Sequence, residues 1–191
     1  FGHVGRPLIV FPSNAGVAHE WQKSGMIDAL APLLRDGRLK VYCPETNVSR
    51  SFTGAGGVRE RMAHHRAYEE FVLETLVPFI REDCRSPDVP MVAAGCSVGA
   101  LYSALFVLKH PETFQRGLCL SGRYRTSQFF GHAADEDVYF NDPIAFLPNL
   151  GLLRTTFLMG LLNACAAWIL ILAVGVRQRL SPWLKVGLVV V

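Results

Sequence analysis

One short stretch of the sequence has the residue types and the spacing that serine chemistry needs. Ser97 stands between Gly95 and Gly99, each two positions away. This G-x-S-x-G pattern is typical of a strained strand-to-helix turn, where small neighbours leave a serine hydroxyl exposed at the tip. The pattern predicts Ser97 as a nucleophile, and Cys96 as a residue packed beneath it. The plainer interpretation is a bend of small residues at the end of a strand.

Backbone N–H groups near the serine are the second requirement, because acyl transfer passes through an oxyanion. The N–H of Val98, the residue after the serine, is the first candidate donor. Ser13 and Asn14 are the candidates for the second donor, since they lie in the loop that follows the first apolar run. An ordinary turn is an equal alternative for this loop, because proline, serine, asparagine and glycine all favour turns.

Apolar and amphipathic runs alternate over the first 120 residues and predict the elements that position this turn. Proline and glycine mark their ends. Each predicted strand is apolar enough to be covered on both faces, so the pattern predicts an α/β fold with a mostly parallel sheet between helices. The predicted strands are Pro7–Phe11, Leu39–Cys43, Met91–Ala94 and Gly117–Leu120, and the predicted helices are Met26–Leu34, Arg59–Ile80 and Val98–Lys109.

Composition and charge narrow the classes of function. The 191-residue chain has a net charge of +3 and no long basic run, which argues against a nucleic-acid partner. The five cysteines have no metal-ligand spacing, so we expect no metal, no cofactor and buried thiols in a reducing compartment. These features predict a cytoplasmic protein.

Several separated segments carry a family resemblance: GHVGRPLIVFPSNAG, GMIDALAPLL, GRLKVYC, HRAYEEFVLETLVPFI, GCSVGALYSALFVLKHPETF, CLSGRY and VYFNDPIAFLPNL. Together they resemble the putative-esterase family of α/β-hydrolases, which is related to S-formylglutathione hydrolases, feruloyl esterases and mycolyltransferases. The resemblance covers residues 1–150 and implies a three-layer α/β-hydrolase fold. It also implies an N-terminal hairpin before the first residue, so the chain is expected to be truncated at its start.

The same resemblance implies a reaction and a set of site residues. The family is one of serine carboxylesterases, so the chain is expected to hydrolyse a small ester through an acyl-enzyme on Ser97. Val98 matches the oxyanion residue after the nucleophile, and the Ser13-Asn14 loop resembles the other half of the oxyanion hole. The pocket-covering segment in this family corresponds to residues 124–147, which are rich in aromatic side chains.

The resemblance stops near Leu150, before the acid and the histidine of the family triad. Residues 151–191 contain no Asp, Glu or His. Because a serine hydroxyl needs a base to become a good nucleophile, activity is expected to be impaired in this chain. Residues 1–150 are therefore predicted to be a partial hydrolase core, and residues 151–191 an atypical apolar helical tail.

The missing acid and histidine raise two further hypotheses, a substitute base and a non-catalytic function. His132 is the candidate substitute base, with three aspartates close to it in the sequence, although an ordinary loop residue is the favoured interpretation. The alternative function is a non-catalytic hydrolase-like domain, for which tethering to a membrane by the tail is one option. The three aspartates are Asp135, Asp137 and Asp142.

The apolar tail has three interpretations. Residues 155–176 are uncharged and long enough to span a bilayer, and the basic residues after them would then lie in the cytoplasm. The second interpretation is a buried helix and strand, and the third is a replaced or frame-shifted C-terminus. The loss of the acid and the histidine where the resemblance ends favours the third, with a membrane anchor as the alternative.

Overall fold

A parallel sheet of four strands forms the centre of the molecule. The computed structural model describes residues 1–131, 135–149 and 188–190, the last three as backbone alone. A short antiparallel strand joins the edge of the sheet, which has the order β2-β1-β3-β4-β5. The strands are β1 (Arg6–Phe11), β2 (Leu39–Tyr42), β3 (Met91–Cys96), β4 (Phe114–Leu120) and β5 (Leu188–Val190).

Helices cover both faces of this sheet, which confirms the predicted three-layer α/β architecture. Two helices, α1 (Glu20–Lys23) and α2 (Met26–Arg35), lie on one face. The opposite face is covered by α3 (Val58–Phe71), α4 (Val77–Asp83) and α5 (Val98–Lys109). Three short helices follow β4: α6 (Ser127–Phe130), α7 (Glu136–Phe140) and α8 (Pro143–Phe146).

The alternation of side chains along β1 shows how one strand builds two cores. Leu8 and Val10 pack against α1 and α2, whereas Ile9 and Phe11 pack against α5. The Phe11 ring stacks on Phe106 of α5 at 4.9 Å between ring centroids. Because both faces of the strand are buried, it reads as a continuous apolar run in the sequence. Each such side chain contributes about 1.5–3 kcal/mol of burial free energy.

The predicted helix Arg59–Ile80 is interrupted by a π-helical turn over Val72–Leu76, between α3 and α4. Pro78 explains the interruption, because it has no N–H and its ring displaces the carbonyl four residues earlier. The wider turn rotates the buried face of the helix. Ile80 is completely buried, whereas Phe79, which would share the apolar side of an uninterrupted helix with Tyr68 and Val72, is 56% exposed.

A buried histidine links α3 to the segment after β4. The Nε2–H of His65 donates to Oδ1 of Asn141 at 2.9 Å, and its ring packs against Phe52 and Tyr102. Its Nδ1 has no hydrogen-bond partner among the described residues. Burial lowers the pKa of His65 from 6.5 to about 4. A second proton would place a charge among aromatic rings, so the neutral imidazole belongs to the folded state.

Mild acid is expected to destabilise the protein through His65. The unfolded chain binds this proton near pH 6.5 and the folded protein only near pH 4, so lowering the pH favours unfolding across that window. The free energy of unfolding should fall by roughly 2–3 kcal/mol through this group between pH 7.5 and pH 4. Urea unfolding of wild type and His65→Gln at several pH values measures this difference, because the amide can keep the bond to Asn141.

The neighbouring His64 provides the control for this experiment. It is only half-buried, so His64→Gln should retain the acid sensitivity of the wild type. An identical loss of stability in His65→Gln and wild type would contradict the assignment.

Most of the apolar tail, residues 151–191, lies outside the described residues. Among residues 1–131, 135–149 and 188–190, no helix has both the length and the apolar character to cross a membrane. The candidate span 155–176 lies outside these ranges. The predicted tail 151–191 is described only where β5 pairs with β4.

Candidate active site

Ser97 forms the single-residue turn between β3 and α5. Its φ of 58° and ψ of −114° lie in a region that residues with a side chain rarely adopt. Two backbone hydrogen bonds hold the turn: the N–H of Ser97 donates to Leu120 at 2.9 Å, and the N–H of Arg123 donates to Ser97 at 3.3 Å. The strand after the turn therefore fixes the strained serine at the wall of a cavity.

The two glycines of the motif are required by close backbone contacts. A β-carbon on Gly95 would lie 2.3 Å from the carbonyl carbon and oxygen of Gly99. A β-carbon on Gly99 would lie 2.1 Å from the carbonyl oxygen of Phe11 and 2.7 Å from that of Pro12. No flexible side chain is involved in these contacts, so the clash could be relieved only by moving the backbone of the turn or of β1.

The predicted oxyanion residues separate into two groups. Val98 begins α5 and lines the cavity next to Ser97, and Asn14 reaches the same cavity from the loop after β1. Ser13 is absent from the lining. Its N–H donates to the Glu20 carboxylate at 3.0 and 3.1 Å, and its hydroxyl donates to the same group at 2.7 Å. The structure thus brings Ser97, Val98 and Asn14 together at one cavity. Ser13 instead holds the loop after β1, which also carries Asn14, against α1.

The cavity beside Ser97 has a volume of about 430 Å³, which is enough for a small ester. Its wall comes from the loop after β1, the segment before α3, the turn before α5 and the chain after β4. Among the residues that the structure describes, the lining contains two arginines and no acidic residue. The lining residues are Asn14, Phe52, Thr53, Gly54, Arg61, Ser97, Val98, Arg123, Gln128 and Phe129.

Arg61 holds two parts of this wall together, a role that the sequence did not reveal. Its guanidinium donates to the carbonyl oxygens of Ser51 at 2.9 Å and Phe129 at 3.2 Å, and also to that of Phe52. It stacks over the ring of Phe130 at 4.3 Å. Burial lowers the pKa of Arg61, yet a guanidinium remains protonated at neutral pH. No local pattern indicates these partners, because Ser51 and Phe52 precede α3 while Phe129 and Phe130 lie in α6, far along the chain.

Cys96 is a weak rival to Ser97. Its side chain is half-buried directly before the turn. Burial raises the pKa of the Cys96 thiol, and the nearby Glu20 carboxylate raises it further. The thiol therefore stays protonated at neutral pH, and a protonated thiol is a poor nucleophile.

The described part of the chain supplies no histidine to the cavity. His132, the candidate substitute base, lies outside the described residues. His65 and His110 have other partners, namely Asn141 and Glu69. The five histidines within the described ranges, none of which lines the cavity, are His3, His19, His64, His65 and His110.

The three aspartates near His132 have structural partners. Asp135 accepts hydrogen bonds from the first turn of α7, and Asp137 pairs with Arg66. Asp142 caps α8 and also accepts from the N–H of Thr126 at 2.7 Å and from its hydroxyl at 2.9 Å. These bonds stabilise the chain after β4. In the same described ranges, no three acidic, histidine or cysteine side chains form a group that could hold a metal ion.

The sequence of this chain matches a known protein family. A family model described as putative esterase matches residues 45–171, which include the serine turn. The chain belongs to the putative esterase family. The match begins after β2 and continues past Leu150, so family similarity extends into the segment that the sequence analysis treated as atypical. No curated protein matches the chain in sequence at a significant level.

A solved structure supports the fold of this family member. The structure is similar to S-formylglutathione hydrolase (FrmB) from Staphylococcus aureus, in its apoenzyme form, with a TM-score of 0.51 and 15% sequence identity. The similarity covers 78% of this chain but only 57% of the other protein. The chain therefore has the α/β fold of that hydrolase and spans little more than half of its length.

Proposed function

We propose that this esterase-family chain hydrolyses a small carboxylic ester through an acyl-enzyme on Ser97. The observation that carries the proposal is the strained Ser97 turn at a cavity that Val98 and Asn14 also line. The hydroxyl oxygen would attack the ester carbonyl, and a base would take its proton. The oxyanion would be stabilised by backbone N–H groups, with that of Val98 as first donor.

Two steps complete the proposed reaction. Collapse of the tetrahedral intermediate breaks the bond to the alcohol oxygen, which leaves with a proton, and the acyl group remains on Ser97. Water then attacks this acyl-enzyme, the carboxylic acid is released, and the serine hydroxyl is restored. The α5 N-terminus favours negative charge at the turn during both steps.

Covalent labelling tests the nucleophile without requiring turnover. A fluorophosphonate should react with the purified chain at one site, and peptide mass spectrometry should place the phosphonyl group on Ser97. Ser97→Ala should remain unlabelled, whereas Cys96→Ala should be labelled like the wild type. Modification of another residue, or equal labelling of Ser97→Ala, would refute the assignment of the nucleophile.

The proposed base is the least constrained part of the mechanism. Because the five described histidines do not line the cavity, His132 is the candidate base within this chain. His132→Gln should then lower the rate of fluorophosphonate labelling about 100-fold, a typical contribution of general-base catalysis. His64→Gln serves as the control, since His64 is half-buried on α3. An unchanged labelling rate in His132→Gln would exclude His132 as the base.

The alternative is a non-catalytic hydrolase-like domain. The observation that favours it is the lack of a histidine at the cavity among the described residues. In this case neither a fluorophosphonate nor an activated ester should react at Ser97, although the cavity could still bind a ligand. Labelling therefore discriminates between the two functions.

A further inference from the structure

In the part of the chain that the structure describes, the charged side chains that line the cavity beside Ser97 are of one sign. Arg61 and Arg123 both line it, and none of the other lining residues within the described ranges carries an acidic or basic side chain. The polar residues Asn14, Thr53 and Gln128 line further parts of the wall, beside the apolar residues Phe52, Val98 and Phe129. A cavity built mainly for an apolar acyl chain would be expected to have a predominantly apolar lining. This wall instead offers hydrogen-bond donors and positive charge.

Neither arginine is neutralised by a neighbouring carboxylate in the described part of the chain. The bonds of Arg61 go to the carbonyl oxygens of Ser51, Phe52 and Phe129, which orient the guanidinium without cancelling its charge. Arg123 is exposed, and its backbone N–H is bonded to Ser97. No ion pair within the described ranges includes either arginine.

This arrangement gives each arginine a different part in recognition. Arg61 is held in place by three carbonyls and by the Phe130 ring, so it supplies a fixed positive potential to the cavity. Arg123 is the third residue after the end of β4, and its backbone N–H donates a hydrogen bond to Ser97 in the serine turn. Its position at the carboxyl end of a strand is where ligands bind in open α/β sheets.

We propose that this cavity selects esters that carry a carboxylate, with Arg123 as the residue that contacts the anionic group. The inference rests on the proposed function only in taking the ligand to be an ester. The preference for a negatively charged ligand follows from the two arginines that line the cavity. A neutral ester leaves both guanidinium groups without an anionic partner. A carboxylated ester provides one and forms charge-assisted hydrogen bonds, which are stronger than neutral ones.

A binding experiment tests the charge preference independently of catalysis. Monomethyl adipate and methyl hexanoate are titrated into the full chain carrying Ser97→Ala, and binding is followed by NMR. We expect the anionic ester to bind at least about fivefold more tightly than the neutral one at low salt. Addition of 0.5 M NaCl should reduce this preference, because salt screens an exposed charge pair.

The variants of the binding experiment separate the cavity from general surface charge. Arg123→Gln, added to Ser97→Ala, should remove most of the preference for monomethyl adipate. Arg125→Gln is the matched control, since Arg125 is exposed on the same segment but does not line the cavity. Equal affinity for the two esters, or an equal effect of Arg125→Gln, would overturn the inference.

Turnover measurements then distinguish failure of this inference from failure of the proposed function. In the chain with Ser97 intact, the ratio of kcat/KM for mono-4-nitrophenyl adipate over 4-nitrophenyl hexanoate should exceed about five and fall in Arg123→Gln. Turnover of both esters without a preference would refute the charge selection and leave the esterase proposal standing. Charge-selective binding without any turnover would refute the esterase proposal and support the anion site.

Discussion

Ser97→Ala is expected to lower kcat/KM for 4-nitrophenyl butyrate by at least about 10³-fold. The methyl side chain lacks the hydroxyl oxygen that forms the acyl-enzyme in the proposed mechanism, while the cavity and the backbone donors stay in place. The turn itself should tolerate the change, because the hydroxyl of Ser97 makes no hydrogen bond within the described residues and its backbone bonds to Leu120 and Arg123 are kept. The measurement is the initial rate of 4-nitrophenolate release by equal concentrations of purified proteins.

A matched control variant distinguishes loss of the nucleophile from loss of the folded structure. Cys96→Ala changes the adjacent side chain, which is half-buried and whose pKa is raised by burial, and should retain most of the turnover. Circular dichroism melting of both variants checks that they are folded. Substantial turnover by Ser97→Ala would show that another group performs the reaction. A wild type without turnover would favour the non-catalytic alternative.

Gly99→Ala is expected to destabilise the fold by more than about 4 kcal/mol. Its new β-carbon would meet the carbonyl oxygens of Phe11 at 2.1 Å and Pro12 at 2.7 Å. These atoms belong to the end of β1 and the loop that carries Asn14, so relief of the clash must separate α5 from the central strand. The same reasoning predicts a similar loss for Gly95→Ala, whose β-carbon would lie 2.3 Å from the carbonyl oxygen of Gly99.

Gly57→Ala is the control for these glycine replacements. Gly57 precedes α3 with a φ of −70°, and a β-carbon there would meet no heavy atom within 4 Å. We expect a loss of no more than about 1 kcal/mol, since alanine is a poorer helix N-cap than glycine. Urea midpoints compare the three variants, with soluble expression as a second readout for any that fail to fold. Similar midpoints for Gly99→Ala and Gly57→Ala would contradict the steric argument.

Local sequence signals were sufficient for the architecture of the sheet. The strands β1, β2 and β3 are mainly apolar runs bounded by proline, glycine or polar residues, whereas β4 begins at Phe114 and was predicted only from Gly117, because Gln115 and Arg116 interrupt its apolar run. The helix Val98–Lys109 was predicted with its observed ends. Periodicity carries this information because a strand buried on both faces and a helix buried on one side impose different spacing on the apolar residues. The interrupted helix over Arg59–Ile80 shows the limit, since the effect of Pro78 on the buried face depends on the width of a single turn.

Only some of the residues at the candidate site could be predicted from the sequence. The spacing around Ser97 is a short-range steric requirement, so five consecutive residues are enough to indicate it. Asn14 was predicted together with Ser13 from the same loop, and only the structure distinguishes the two, because Asn14 lines the cavity whereas Ser13 is bonded to Glu20. Arg123 had one usable signal, its place just after a predicted strand at the edge where ligands bind.

The sequence by itself determined the α/β class, the order of the main elements and the serine turn, because these depend on periodicity and on contacts between near neighbours. The tertiary structure decided the composition of the cavity and the state of buried polar groups. Arg61 bonds to the carbonyl of Phe129, 68 residues away, and His65 to Asn141, 76 residues away. Such partners are fixed only when the sheet brings distant loops together, because burial and the pairing of a charge are properties of the folded surroundings.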